Sequence, residues 1–249
     1  MTEGWRRGLE HAIAKAYGLT YDAVVEGFAP YEALRDQVAG YVQRSAPRGA
    51  RVVDVACGIG NVCLRLGELG YSVQGYDAVG TLIEVARSKQ RAMAAADVRF
   101  DELDVARAPA PREFDVLVSL NTLYWHPDPD GLVRACHAAL RRDGHAVFVT
   151  YVRRARVVGT ALEVRAAQGT VAALRSLRWL VPTALFERLR DFEPRYLDPG
   201  ELRAMLEHAG FEIIEERATF LAGMCHLVWA RTQESPHAPA LRAGGDSVQ

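Results

Sequence analysis

The chain has 249 residues, 49% of them apolar, which is enough for one well-buried core with a cap or lid added to it. Its 30 basic and 31 acidic residues leave a formal net charge of −1, so no global field favours nucleic acid or a membrane surface. No apolar run approaches the roughly 20 residues that span a bilayer, and the opening stretch "MTEGWRRGLEHAIAKAYG" lacks the apolar segment of a signal peptide.

Residues 1–45 read as a helical cap, with Leu34, Val38, Tyr41 and Val42 on one stripe at helical spacing. "APRGA" breaks the chain, and a core of alternating elements follows over 46–151. Short apolar runs at 51–56, 72–77, 97–100, 114–120 and 145–151 read as strands. Amphipathic segments at 61–69, 80–94 and 130–141 read as helices between them. Such alternation predicts a parallel sheet covered by helices on both faces, joined by right-handed crossovers. Residues 152–198 break the rhythm: they have helical periodicity, carry nine arginines and interleave Trp179, Phe186, Phe192 and Tyr196. This segment is expected to be a helical lid inserted after the fifth strand. In "LDPGELRAMLEHAGF", Asp198 is placed to cap a helix, Pro199 to open it and Gly210 to close it. "EIIEER" and "MCHLVWART" then read as an antiparallel pair that completes the core over 199–232, and the polar tail 233–249 is expected to be disordered. The four cysteines form no CxxC pair and are expected to be reduced thiols in a cytoplasmic protein.

The chemistry centres on "VVDVACGIGN", residues 52–61, where a strand runs into a Gly-Ile-Gly turn. In an open α/β sheet, ligands bind outside the carboxyl ends of the strands, and glycines there let a ligand approach the main chain. Asp77 ends the second strand, where a carboxylate can accept both hydroxyls of a ribose. The same carboxylate could instead cap the next helix. Cys63 stands where a dinucleotide fingerprint wants a third small residue, and no P-loop pattern is present. Asp54, at the strand end, would repel a pyrophosphate but suits a ligand that brings an ammonium group, because a buried charge needs a partner.

"VVDVACGIGNVCLRL" followed by "VQGYDAV" resembles the first motif of class I S-adenosylmethionine-dependent methyltransferases. "DELDVARAPAPREFDVLVSLNTLYWHPDP", "ACHAALRRDGHAVFVTY" and "GELRAMLEHAGF" resemble later motifs of that family in the same order, so the likeness covers about 50–232. The resemblance implies an α/β, Rossmann-like, seven-stranded, mostly parallel sheet. It implies S-adenosyl-L-methionine as cofactor, and methyl transfer to an oxygen, nitrogen or carbon of a small molecule, as in secondary-metabolite biosynthesis. Carried onto this chain, Ala56, Cys57, Gly58 and Gly60 would pass the methionine part, with Ala56 where glycine is usual. Asp54 would organise its amino end. Asp77, with Ala78 beside it, would hold the ribose. Asp104 and Val105 would meet the adenine, Leu120 and Asn121 the sulfonium side, and Tyr21 would close over the cofactor. For the acceptor, Tyr124, Trp125, Trp179, Phe186 and Phe192 are the candidate walls. His126 and Tyr151 are the candidate proton-handling groups, no metal ligands are read, and a homodimer is compatible with the chain. Two other readings stay open on sequence: a protein of this fold that binds the cofactor without methyl transfer, and a nicotinamide-dependent oxidoreductase.

Overall fold

The computed structural model describes residues 21–93, 97–108, 110–154, 156–189 and 194–233. Seven strands form one sheet: β1 (Arg51–Val55), β2 (Ser72–Asp77), β3 (Val98–Glu102), β4 (Phe114–Leu120), β5 (Leu140–Tyr151), β6 (Phe211–Thr219) and β7 (Cys225–Thr232). Their order across the sheet is β3-β2-β1-β4-β5-β7-β6. The first five strands run parallel, and β7 is antiparallel to both β5 and β6. The direction of winding reverses between β1 and β4, so the crevice for a ligand opens above their carboxyl ends.

Besides the helical residues 21–25, the described helices are α1 (Ala29–Ser45), α2 (Asn61–Glu68), α3 (Gly80–Ala92), α4 (Pro129–Ala139), α5 (Val157–Gln168), α6 (Thr170–Leu189) and α7 (Pro199–His208). Alternating strand residues face two cores. Val52, Val116, Val118, Val147 and Val149 pack with α1, α2 and α3 on one face. Val53, Leu117, Ala146 and Phe148 pack with α4 and α7 on the other. β1 is almost wholly buried, as a strand covered on both faces must be, which is why it reads as an unbroken apolar run up to Asp54.

The helix signals of the sequence correspond to real caps. The Asp198 carboxylate accepts from the Glu201 amide at 2.9 Å and the Glu201 carboxylate accepts from the Asp198 amide at 3.1 Å, a closed capping box with Pro199 as first residue. Helix α6 continues through Pro182 in its interior. Several boundaries differ from expectation by one to five residues, β3 running on to Glu102 and α3 stopping at Ala92 among them, and two have a visible cause. The strand expected over 51–56 stops at Val55, because Ala56 turns to φ +60°. The helix expected over 130–141 ends at Ala139, and β5 starts at Leu140, which pairs with Phe114. Residues 141–144 then bulge out before His145 pairs with Val116, with Asp143 at φ +58°.

The last two strands are tied to α1. The Tyr41 hydroxyl donates to Glu215 at 2.5 Å, Thr219 donates to Gln37 at 2.6 Å, and the Trp229 indole donates to the Ser45 hydroxyl at 2.9 Å. Arg44 lies over the Trp229 ring, 4.3 Å from its centre. Among the described residues no helix is long and apolar enough to cross a membrane. The tail beyond Gln233 and the chain before Tyr21 lie outside the described residues.

Candidate functional site

The turn after β1 holds its shape through three left-handed residues: Ala56 at φ +60°, Gly58 at +55° and Gly60 at +80°. At Gly60 a β-carbon would lie 2.5 Å from the Phe100 ring, so only glycine lets the loop sit down on β3. At Gly58 a β-carbon would meet no protein atom within 4 Å. The loop is therefore packed tightly beneath and leaves room above, as a cradle for a ligand would.

Asp77, 8% exposed, braces this loop against the next one. One carboxylate oxygen accepts from the Gly58 amide and the other from the Val79 amide, each at 2.9 Å. Burial raises its pKa, and those two amides act against the rise. Each oxygen retains a second lone pair that a ribose can use; Asp77 does not cap the next helix, whose N-cap is Val79 with no side-chain cap. Ala78 beside it is exposed. Asp54 is 2% exposed. Its partner is the Cys63 thiol, which donates to it at 3.3 Å. Burial pushes the Asp54 carboxyl up to about 7, the Cys63 bond pulls it down, and the Asp77 charge pushes it up again. Cys63, read in the sequence only as a poor fit to a dinucleotide fingerprint, is thus the group that satisfies this acid. Burial likewise pushes the Cys57 thiol up to about 11.

The adenine-side residues form a compact turn. Asp104 accepts from the Ala106 amide at 3.1 Å and pairs with Arg107 at 3.2 Å, while Val105 is buried in the core under α4 and α7. At the end of β4, Leu120 is half-buried and Asn121 takes φ +54°. The Asn121 side-chain oxygen accepts from Cys225, 3.6 Å away, and its backbone oxygen accepts from the Trp125 indole at 2.8 Å. Trp125 therefore pins the loop that carries Asn121. His126 has its Nδ1 engaged with the backbone of Asp128, at 2.7 Å from the carbonyl and 3.1 Å from the amide, so only Nε2 is placed to handle a proton. Tyr151, 4% exposed, packs edge-on against Tyr124 at 5.0 Å, and Tyr124 stacks on Tyr196 at 5.9 Å.

Tyr21 packs edge-on against Tyr31 at 5.6 Å and against Trp179 at 5.5 Å. The neighbouring Asp22 receives Lys89 from α3 through both oxygens at 2.9 Å and Asn61 from α2 at 3.1 Å, and Lys89 also donates to Asn61. Asn61, Lys89 and Asp22 were not legible as site residues, because no local pattern joins positions on three separate elements. Phe28, Tyr31 and Phe220 were missed for the same reason. A groove of about 830 Å³ opens between the start of α1, the α5–α6 junction and the β6–β7 turn, and Phe220, Leu221 and Arg175 line it. Of the residues expected at the acceptor, Phe192 lies outside the described residues. For Phe186 only its place in α6 is described. Among the described residues no cluster of His, Cys, Asp and Glu could hold a metal ion.

A model of the methyltransferase domain family matches residues 28–216. The chain belongs to this family. It is 30% identical over 223 residues to the ubiquinone biosynthesis O-methyltransferase of Xylella fastidiosa, covering 84% of this chain and 85% of that protein. Its fold is that of the magnesium protoporphyrin IX methyltransferase from Synechocystis PCC 6803 with bound SAH, at a TM-score of 0.66 and 14% identity, covering 90% and 100% of the two chains. It is also that of the (4+2)-cyclase SpnF, at a TM-score of 0.64 and 16% identity over 90% and 96%. The enzyme is a class I methyltransferase, its cofactor is S-adenosyl-L-methionine, and its acceptor is a small molecule. The nicotinamide reading falls with that membership. The roomy glycine loop and the two buried carboxylates fit such a cofactor, which brings one ammonium group and one ribose.

Proposed function

We propose that this methyltransferase transfers the methyl group to an oxygen of a small biosynthetic molecule, in a site roofed by α5 and α6. The bound cofactor supplies an electrophilic methyl on a sulfonium. The chain supplies placement, which can provide a large part of the rate of such a transfer. In this reading Gly58 and Gly60 give the methionine part access to backbone, with Ala56 and Cys57 beside it. Asp54 faces the ammonium, and Asp77 holds the ribose next to Ala78. Asp104 and Val105 meet the adenine, and Leu120 and Asn121 flank the sulfonium. Tyr21, held down through its neighbour Asp22, closes the near side. Tyr124 and Trp125 wall the mouth. An acceptor hydroxyl is more nucleophilic once its proton leaves; in this reading His126 Nε2 would take that proton, or Tyr151 would relay it by accepting it as its own hydroxyl proton passes on.

The observation that carries the reading is the brace at Asp77, which joins the glycine loop to the end of β2 by two bonds of 2.9 Å and leaves lone pairs for a diol. The oxygen acceptor rests on the O-methyltransferase relatives. The reading also takes the enzyme as cytoplasmic, which its four free cysteines support. Calorimetry with S-adenosylhomocysteine tests the site. Asp77→Ala should lose about 1.5–3 kcal/mol of binding, the usual worth of a charged hydrogen-bond acceptor. An unchanged dissociation constant in a folded variant would remove Asp77 from the ribose. Labelled cofactor offered with oxygen, nitrogen and carbon acceptors then decides the atom.

A further inference from the structure

Trp179, near the middle of α6, is 2% exposed and lies among four rings from other parts of the chain. Phe28 is parallel to it at 6.0 Å and 4°, and Tyr31 nearly so at 6.1 Å and 19°. Tyr21 and Phe220 meet it edge-on at 5.5 and 5.2 Å. This is a slot with flat walls and a flat filling. Its place is telling. Tyr21 and Tyr31 connect it to Asn61 at the glycine loop, and Phe220 connects it to Tyr151 at the end of β5. The slot therefore stands over the carboxyl ends of β1, β4 and β5, where the acceptor of the proposed reaction must arrive.

The indole does not satisfy itself there. Its N–H is buried and has no hydrogen-bond partner. Thr160 of α5, fully buried, has a hydroxyl in the same condition. Buried donors without acceptors are rare in a settled core and costly where they occur. The inner face of α6 also buries Ser176, whose hydroxyl donates to the Ala173 carbonyl at 2.7 Å, and Thr183, beside Ala173 and Leu180, whereas Val171, Leu174, Val181 and Leu185 are more than half exposed on its outer side. An ordinary cover helix keeps its large aliphatic residues on the inner side, and α6 leaves four of them outside. Flat walls around the indole match a planar guest, and the partnerless indole N–H and Thr160 hydroxyl match one that carries oxygen atoms. The groove beside Phe220 gives such a guest an approach, since Phe220 both lines the groove and touches the indole.

We propose that the space filled by the Trp179 indole is the ring site for the acceptor, and that the acceptor is a planar, uncharged aromatic compound bearing hydroxyl or carbonyl oxygens. Trp179 is a plug that this ring displaces when α5 and α6 lift, and the freed donors then meet the oxygens of the guest. The inference rests on the small-molecule methyl-transfer reading and names its substrate class.

Naphthol, followed by its own fluorescence, is the probe, with naphthalene sulfonate and octanol as charged and non-planar controls, on the full chain. Removing a plug raises apparent affinity by the reciprocal of the time the slot stands open, so Trp179→Ala should bind naphthol about tenfold more tightly if the native slot is open about a tenth of the time. Trp179→Phe, which keeps a ring of smaller area, should fall between and decides alone if the alanine variant does not fold. The controls should not gain. Naphthol binding that is equal or weaker in the folded variants overturns the slot and makes the indole a wall. An equal gain for octanol overturns the planar class. Titration with S-adenosylhomocysteine on the same samples keeps the two readings apart: native protein that fails to bind it sinks the cofactor site, whereas normal cofactor affinity with unimproved naphthol binding sinks only the slot.

Discussion

Asp54 and Asp77 lie 23 residues apart in sequence and on adjacent strands, yet only Asp77 receives backbone donors. Asp54 has a thiol, and no cation is among the groups that act on it. Between its ordinary value of 3.8 and about 7, folded protein keeps a proton on Asp54 that the unfolded chain has released. The folded state is therefore favoured on the acid side, and this contribution is lost as pH rises through about 7. Asp54→Asn removes the charge, so the cofactor-free variant should be more stable than the native enzyme at pH 8, by about 1–3 kcal/mol, the common cost of a buried polar group short of partners. Thermal unfolding across pH 5–8 checks this: the native curve should fall more steeply than the variant's. The same variant should bind S-adenosylhomocysteine less well, because the acid is kept for an ammonium that arrives with the ligand. At Ala56, φ +60° burdens a residue with a β-carbon, and Ala56→Gly should leave stability unchanged or raise it by up to about 1 kcal/mol. A clear loss of melting temperature would show that the loop gains nothing from glycine there. Both acids were legible because they end strands beside glycines. The thiol that satisfies Asp54 was not, since Cys63 meets it only after α2 has folded back over β1.

At the scale of elements, what the sequence disclosed was what local chemistry dictates. The N-cap Asp198, the opening Pro199 and the closing Gly210 of α7 were readable, whereas the return contact of Glu201 that completes the box was not. Asp198→Ala should cost about 1 kcal/mol, or roughly 2–4 °C of melting temperature in a chain of this size, with cofactor affinity intact. Equal affinity and equal melting would mean that the cap contributes nothing beyond the proline. The β6–β7 turn was unreadable for a physical reason. Phe220, Leu221 and Ala222 take φ of +57°, +35° and +58°, and only Gly223, which lacks a β-carbon, suits such values. No local preference selects that turn. Phe220 is held against Phe28, Tyr151 and Trp179, and Leu221 is 3% exposed, so long-range packing overrides the backbone cost. Helices α5 and α6 were legible as helices from their periodicity. Their inward hydroxyls and outward aliphatics were not, because a stripe at helical spacing does not say which side meets the core.

For the molecule as a whole, the ties from α1 to β6 and β7 set a schedule for its synthesis. Tyr41 waits for Glu215, Gln37 for Thr219 and Ser45 for Trp229, a separation of 174–184 residues. At the usual pace of translation that interval lasts roughly ten seconds or more. The glycine loop and Asp77 leave the ribosome early, but the helix that carries Tyr31 toward Asn61 has no finished floor until the final hairpin has emerged. During that time its stripe of Tyr31, Leu34, Val38, Tyr41 and Val42, all buried in the finished enzyme, remains open to chaperones and to other nascent chains. A nascent chain arrested before Phe211 should therefore fail to retain S-adenosylhomocysteine and should be cut readily by protease within α1. One arrested well past Thr232, with the hairpin clear of the exit tunnel, should do neither. Cofactor retention by the shorter chain would mean that the first five strands assemble a working site unaided. If it does not, competence arrives in a single late step, and the enzyme is inactive for nearly all of the time it takes to make.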